Sequence, residues 1–91
     1  MTVTVRIPTQ LRELSGGAAE VQIAPGPLAE VLTALDTAHP GFSGRLFDET
    51  GNLRRFVNVF VADEDIRFLD GLQTAVTDGQ TVSIVPAVAG G

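Results

Sequence analysis

The sequence predicts an α+β domain in which a mixed sheet carries one main helix packed on one of its faces. Three observations lead there. Short segments with a period of two recur along the chain, one segment alone has a clear helical period, and 91 residues leave room for a single core. The chain is 44% hydrophobic, above the range of disordered chains, so it has enough apolar surface to fold.

The first strand is expected over residues 2–8, with Val3, Val5 and Ile7 on one face and Thr2, Thr4 and Arg6 on the other. Pro8 ends it, and after a polar stretch Gly16-Gly17 supplies the freedom for a return. Residues 20–24 form the second strand, with Val21 and Ile23 inward, making an antiparallel hairpin with the first. Pro25-Gly26-Pro27 then opens the helix, with Pro27 near its first position, where a missing N–H is tolerated. Leu28, Val31, Leu32, Leu35 and Ala38 make its apolar stripe, opposed by Glu30, Thr33, Asp36 and Thr37. His39 falls in the last turn as a terminal cap residue, and Pro40-Gly41 stops the helix.

Residues 42–47 suit a single helical turn that buries Phe42, Leu46 or Phe47, and 48–52 form a polar turn. Residues 55–61 are the strongest strand, β-branched and aromatic throughout. Asn58 is the residue that tolerates burial least, so Val57, Val59 and Val61 are placed inward and Phe56 and Phe60 outward. Ala62-Asp63-Glu64-Asp65 is read as a solvated turn rather than a metal site, because three consecutive acids lack a fourth ligand at useful spacing. A short strand over 66–68, a bend over 71–76 and a tight turn at Thr77-Asp78-Gly79-Gln80 follow. The last strand covers 81–86, with Val82 and Ile84 inward and Val85 outward. The helix covers one face of the sheet, since no other element is long enough to do so.

Composition prunes the functions open to this chain. The net charge is −5, and all six cations are arginine. That balance argues against nucleic acid and anionic membranes as partners. No apolar run nears the roughly 18 residues that span a bilayer, and the start MTVTVRIPT alternates like a strand rather than a signal peptide, so the expected location is cytoplasmic. The absence of Cys removes disulfides, thiolate zinc sites, Cys nucleophiles and persulfide chemistry on a Cys. One His among scattered serines (Ser15, Ser43, Ser83) gives no readable triad, and Gly16-Gly17 lacks the Lys and setting of a phosphate loop. Catalysis by this chain is therefore not expected, and no metal or cofactor is assigned to it.

After Pro86 the chain reads Ala87-Val88-Ala89-Gly90-Gly91, five small uncharged residues. A body over 1–86 is thus expected to carry a free tail over 87–91. The element order, with Arg55-Phe56-Val57-Asn58-Val59, Asp63-Glu64-Asp65 and the closing Pro86-Ala87-Val88-Ala89-Gly90-Gly91, resembles the MoaD/ThiS family of ubiquitin-like sulfur carriers. Within it, the likeness is to the actinobacterial branch that supplies a cysteine synthase. The resemblance implies a β-grasp fold and a Gly91 carboxylate that is adenylated and converted to a thiocarboxylate. It implies an adenylyltransferase/sulfurtransferase partner related to ubiquitin-activating enzymes, and a sulfur-accepting synthase. ATP and Mg would belong to the first partner, and pyridoxal phosphate to a cysteine synthase. Molybdopterin, thiamine thiazole and secondary metabolites stay open as destinations of the sulfur.

Chemistry supports that use of the tail. A carboxylate is a poor electrophile, and adenylation supplies a leaving group that a sulfur nucleophile displaces. Gly90 and Gly91 carry no Cβ and suit a narrow channel, which Ala87, Val88 and Ala89 would follow. Five extended residues reach at most about 17 Å. Phe56, Phe60 and Val85 are expected to make an outer apolar face that docks on the activating partner, with Arg55 at its rim. Two other readings use the same chain: a protein modifier conjugated through Gly91, and a non-catalytic interaction module with an idle tail.

Overall fold

The computed structural model describes residues 1–55 and 57–86. Strand β1 (Val3–Arg6) and strand β2 (Glu20–Ile23) form the expected antiparallel hairpin, in register from Val3↔Ile23 to Arg6↔Glu20. Their connection is more ordered than its polarity suggests. Thr9–Ser15 winds into a 3₁₀ helix that buries Leu11 and Ser15, and Gly16 closes it at φ 68°. The buried Ser15 hydroxyl lies 2.7 Å from the Ala18 carbonyl and 3.0 Å from that of Arg12, so its polarity is satisfied locally.

The helix α1 (Leu28–Ala38) lies where the apolar stripe predicts it, within a residue at each end, and buries Leu28, Val31, Leu32 and Leu35. Two details differ. Pro27 is the N-cap rather than the first helical residue, because Gly26–Pro27 forms a small strand, β3. Ala38 is exposed, since the chain turns away at His39, whose N–H caps the Leu35 carbonyl at 2.8 Å. Beyond Leu35 the core is filled from α2 (Phe42–Leu46), which buries Phe42 and Leu46 completely. Gly41 enters α2 at φ 114°, and a Cβ there would meet Leu14 Cδ2 at 2.9 Å. Asp36 on α1 accepts from the Gly41 and Ser43 N–H groups at 3.2 and 2.8 Å, tying the two helices together.

Strand β4 (Val57–Val61) buries Val57, Val59 and Val61 and leaves Asn58 and Phe60 half-buried on the other face, as the parity argument requires. The next strand departs from expectation. It is β5 (Glu64–Asp65), paired Val61↔Glu64 and Phe60↔Asp65, whereas Ile66–Phe68 is a 3₁₀ turn. The cause is the two-residue turn Ala62-Asp63, with φ 51° and 70°, which reverses the chain directly after Val61. Asp65 then accepts from the Arg67 N–H at 2.8 Å and starts the 3₁₀ turn. The turn expected over 62–65 is present, but without a glycine nothing marks its two-residue form or the pairing of Glu64–Asp65 that follows. Left-handed backbone costs an ordinary residue roughly 1–2 kcal/mol. The double substitution Ala62→Asn/Asp63→Gly is therefore expected to stabilise the protein by about 1 kcal/mol. A urea midpoint that stays put or falls would contradict this account of the turn.

The two short strands β3 and β6 (Ala75–Val76) pair beside the main sheet, and Leu28 N–H donates to Thr74 O at 2.8 Å to start α1. The turn Thr77–Gln80 has Gly79 at φ 85° and leads into β7 (Thr81–Pro86). The main sheet runs β2-β1-β7-β4-β5, with β7 parallel to β1 and antiparallel to β4. One face, built from Val3, Val5, Val57, Val59, Val61, Val82 and Ile84, joins the α1 side chains in a single core. Among the described residues both α-helices pack into that core and none covers the opposite face.

Candidate functional site

The site grows from β7. Val82 and Ile84 are buried at 0% and 3% exposure, and the strand is hydrogen-bonded on both sides, to β1 as far as Ser83 and to β4 as far as Pro86. The tail is therefore rooted in the best-anchored strand of the sheet, and a pull on it would be resisted by two ladders. The described residues end at Pro86; the expected tail, Ala87, Val88, Ala89, Gly90 and Gly91, lies outside them.

Around this root, the helix-free face presents the expected docking residues unevenly. Cross-strand pairing sets Val85 opposite Asn58 and Phe60 opposite Ser83, so Val85 and Phe60 share that face. Val85 is 45% exposed, Phe60 is half-buried and Arg55 is exposed. Phe56 lies outside the described residues. A second apolar group went unnoticed in the sequence: Phe68 is 83% exposed, beside a partly exposed Leu69. Both follow from the strand expected at 66–68 being a 3₁₀ turn.

Two carboxylates are tied by local hydrogen bonds. Arg67 pairs with Asp65 at 2.6 Å, and its side-chain hydrogen bonds, helped by the backbone bond of Arg67, hold the Asp65 carboxyl below its ordinary value. In the loop after α2, Asp48 is lowered likewise, first by the Thr50 hydroxyl at 2.6 Å and then by the backbone N–H groups of Thr50 and Asn52. A carboxyl depressed by folding adds stability above its unfolded value, near 3.9, and loses it as pH falls through the lower folded value. Asp65→Asn is thus expected to flatten the decline of the thermal midpoint below about pH 4. Parallel curves for the two proteins would refute a role for this pair. Among the described residues no three His, Asp or Glu side chains converge as a metal site, and no helix is long and apolar enough to cross a membrane. The buried Ser15 hydroxyl is taken up by the Arg12 and Ala18 carbonyls, and the His39 N–H caps α1.

A five-stranded mixed sheet whose central parallel pair is flanked by antiparallel strands, clasping one helix, is the ubiquitin-like β-grasp fold. Residues 5–91 match the ThiS family, and the chain belongs to that family. The sulfur carrier protein CysO of Mycobacterium tuberculosis is 50% identical over 93 residues, covering all of both proteins. The small archaeal modifier protein 3 of Haloferax volcanii is 39% identical over 64 residues, 70% of this chain and 68% of that protein. In the crystal structure of the Amycolatopsis orientalis BexX/CysO complex, a chain 46% identical superposes with a TM-score of 0.91, covering 98% of this chain and 99% of that one. This kinship places the chain among small carrier proteins rather than catalysts.

Proposed function

We propose that the chain is a sulfur carrier whose cargo is held on the carboxylate of Gly91. The observation that carries this reading is the family match running through Gly91, with end-to-end similarity to a protein named a sulfur carrier. In the first step the carboxylate attacks the α-phosphorus of ATP, forming an acyl-adenylate and releasing pyrophosphate. Hydrosulfide then adds to the acyl carbon, AMP departs with the bonding pair, and a thiocarboxylate remains. The activating partner, related to ubiquitin-activating enzymes, supplies ATP and Mg. A sulfur-accepting synthase consumes the product; cysteine is the favoured destination, and in that case the synthase holds pyridoxal phosphate.

The chain's own contribution is positioning. β7 anchors the tail root at Pro86, and the helix-free face offers Phe60 and Val85 for docking, with Arg55 near its edge. Val85→Asp is expected to weaken binding to the activating partner by about tenfold while leaving the fold intact, since Val85 is a partly exposed sheet residue. Unchanged affinity would remove this face from the docking surface. The central test is intact-mass measurement of untagged protein from its own host. A mass shift of one oxygen replaced by sulfur, localised to Gly91, is the expected result. A carboxylate that persists with ATP, a sulfur source and the host's adenylating enzyme would overturn the carrier reading. The similarity to an archaeal modifier protein favours a second reading, conjugation through Gly91 to lysines of other proteins. Adducts on such lysines would support it.

A further inference from the structure

An activated carboxyl endangers the protein that carries it. An acyl-adenylate or thioester reacts with a nearby amine: the nitrogen lone pair adds to the acyl carbon and a C–N bond forms. AMP or thiolate then departs with the bonding pair, and the nitrogen gives its proton to solvent. The product is an amide that can no longer take up sulfur. Reach limits this side reaction, and β7 sets the reach. Whatever course residues 87–91 take, five residues confine the Gly91 carboxyl to within about 17 Å of Pro86.

Cations are plentiful inside that radius. Arg6 pairs with Ser83, which stands three extended residues, roughly 10 Å, before Pro86. Beyond this pair β1 and β7 part, and Arg6, Arg12 and Pro86 line the open cleft of about 480 Å³ between them. Arg12 is held there by its Nε, which donates to Ile7 O at 3.2 Å. Arg55 is exposed two residues before Val57, the strand partner of Pro86. All six cations of the chain are arginine, and the sequence has neither Lys nor Cys. A guanidinium stays protonated far above neutral pH and has no lone pair to offer, whereas a lysine with a pKa near 10.4 always keeps a small fraction of free amine. The other end of β1 is remote. Thr2 lies four residues back from Arg6, bonded to Asp78 and Gly79, which puts it roughly 23 Å from Pro86 along the strands and keeps Met1 outside the radius.

We infer that Arg6, Arg12 and Arg55 determine the chemical fate of the activated carboxyl: they supply positive charge around the tail root without supplying an amine. Incoming sulfur then competes with water and not with the carrier's own side chains. The benefit to sulfur transfer rests on the carrier reading; the reach and the chemistry do not.

The experiment uses the full chain bearing a Gly91 thioester, made by thiolysis of an intein fusion, so no activating partner is needed. Held dilute near pH 8, this protein is expected to lose its thioester by hydrolysis alone. Arg6→Lys, at an exposed position, should instead form an internal amide. Intact mass reads it as the carboxylate form less one water, and digestion maps it to residue 6. Arg12→Lys and Arg55→Lys should do the same. Thr77→Lys places an amine on the exposed turn before the start of β7, near the limit of a fully stretched tail and lysine, and should give at least tenfold less amide than Arg6→Lys. An internal amide in the parent protein would overturn the inference, because an amine would then be in reach already. Arg6→Lys and Arg12→Lys thioesters that only hydrolyse would overturn it too, since arginine there would exclude nothing. So would equal yields from Arg6→Lys and Thr77→Lys. A Gly91 carboxylate that never loads with sulfur, which would sink the carrier reading, leaves all these outcomes unchanged, so the two fall separately.

Discussion

Removing Gly90 and Gly91, or adding one residue after Gly91, is expected to abolish thiocarboxylate formation while leaving the unfolding transition where it was. Loading requires a carboxylate on the residue that reaches the nucleotide site. An added residue moves that carboxylate by up to about 3.6 Å and puts a side chain where the narrow channel admits glycine. Positioning errors of this size are costly in a reaction that depends on alignment, because a misplacement of about 1 Å already costs on the order of a hundredfold. Stability should not follow, since the core among the described residues is complete by Ile84 and β7 ends at Pro86. Intact mass after incubation with ATP, a sulfur source and the activating partner reads the first effect; urea unfolding reads the second. Equal loading of the extended protein would sink the carrier mechanism, and a lowered midpoint would show that the tail supports the fold.

The largest stability effect is expected at Phe42. Its ring is fully buried on α2, entered through the left-handed Gly41 and held by Asp36 of α1, so the site has little freedom to collapse around a smaller side chain. Phe42→Ala should cost about 3–5 kcal/mol, a large part of the roughly 5–15 kcal/mol that holds a domain folded. Phe68→Ala, which removes the same ring from a position 83% exposed, should change stability by less than about 0.5 kcal/mol. Comparable losses at the two positions, measured in urea, would mean that Phe68 is covered in solution or that Phe42 is not packed as described.

These two phenylalanines show how far the chain can be read without its structure. The helical period from Leu28 to Leu35 and the inward valines of β4 were legible because one apolar face repeats at the spacing of the element that buries it. Asn58 settled the parity of β4 for a similar local reason: a polar group on the wrong face would have been buried without a partner. Of the short pieces, the helical turn expected at 42–47 was legible and is α2, whereas others were not. Nothing in Thr9–Ser15 has a strong period, yet it folds as a 3₁₀ helix over Leu11, and the hairpin at Ala62-Asp63 uses left-handed residues that are not glycine. Phe68 was expected in a strand and stands instead in the turn that this hairpin creates.

By itself the sequence determined the class of the fold, the inward face of each main strand, the limits of the helix and the Gly-Gly terminus on which the proposed chemistry rests. Each of these is written locally, in periodicity, in turn residues or in the tail itself. Only the tertiary structure decided which strands beyond the first hairpin are neighbours, that β7 runs parallel to β1 and antiparallel to β4, and that β1 and β7 part beyond Ser83 to leave a cleft beside Pro86. The β1–β7 pairing joins residues more than seventy positions apart, such as Arg6 and Ser83, and the β4–β7 pairing joins residues 21 to 29 apart, such as Val61 with Val82 and Val57 with Pro86. Such pairing follows from burying all the apolar faces at once in one core, a condition on the whole chain that no single segment carries.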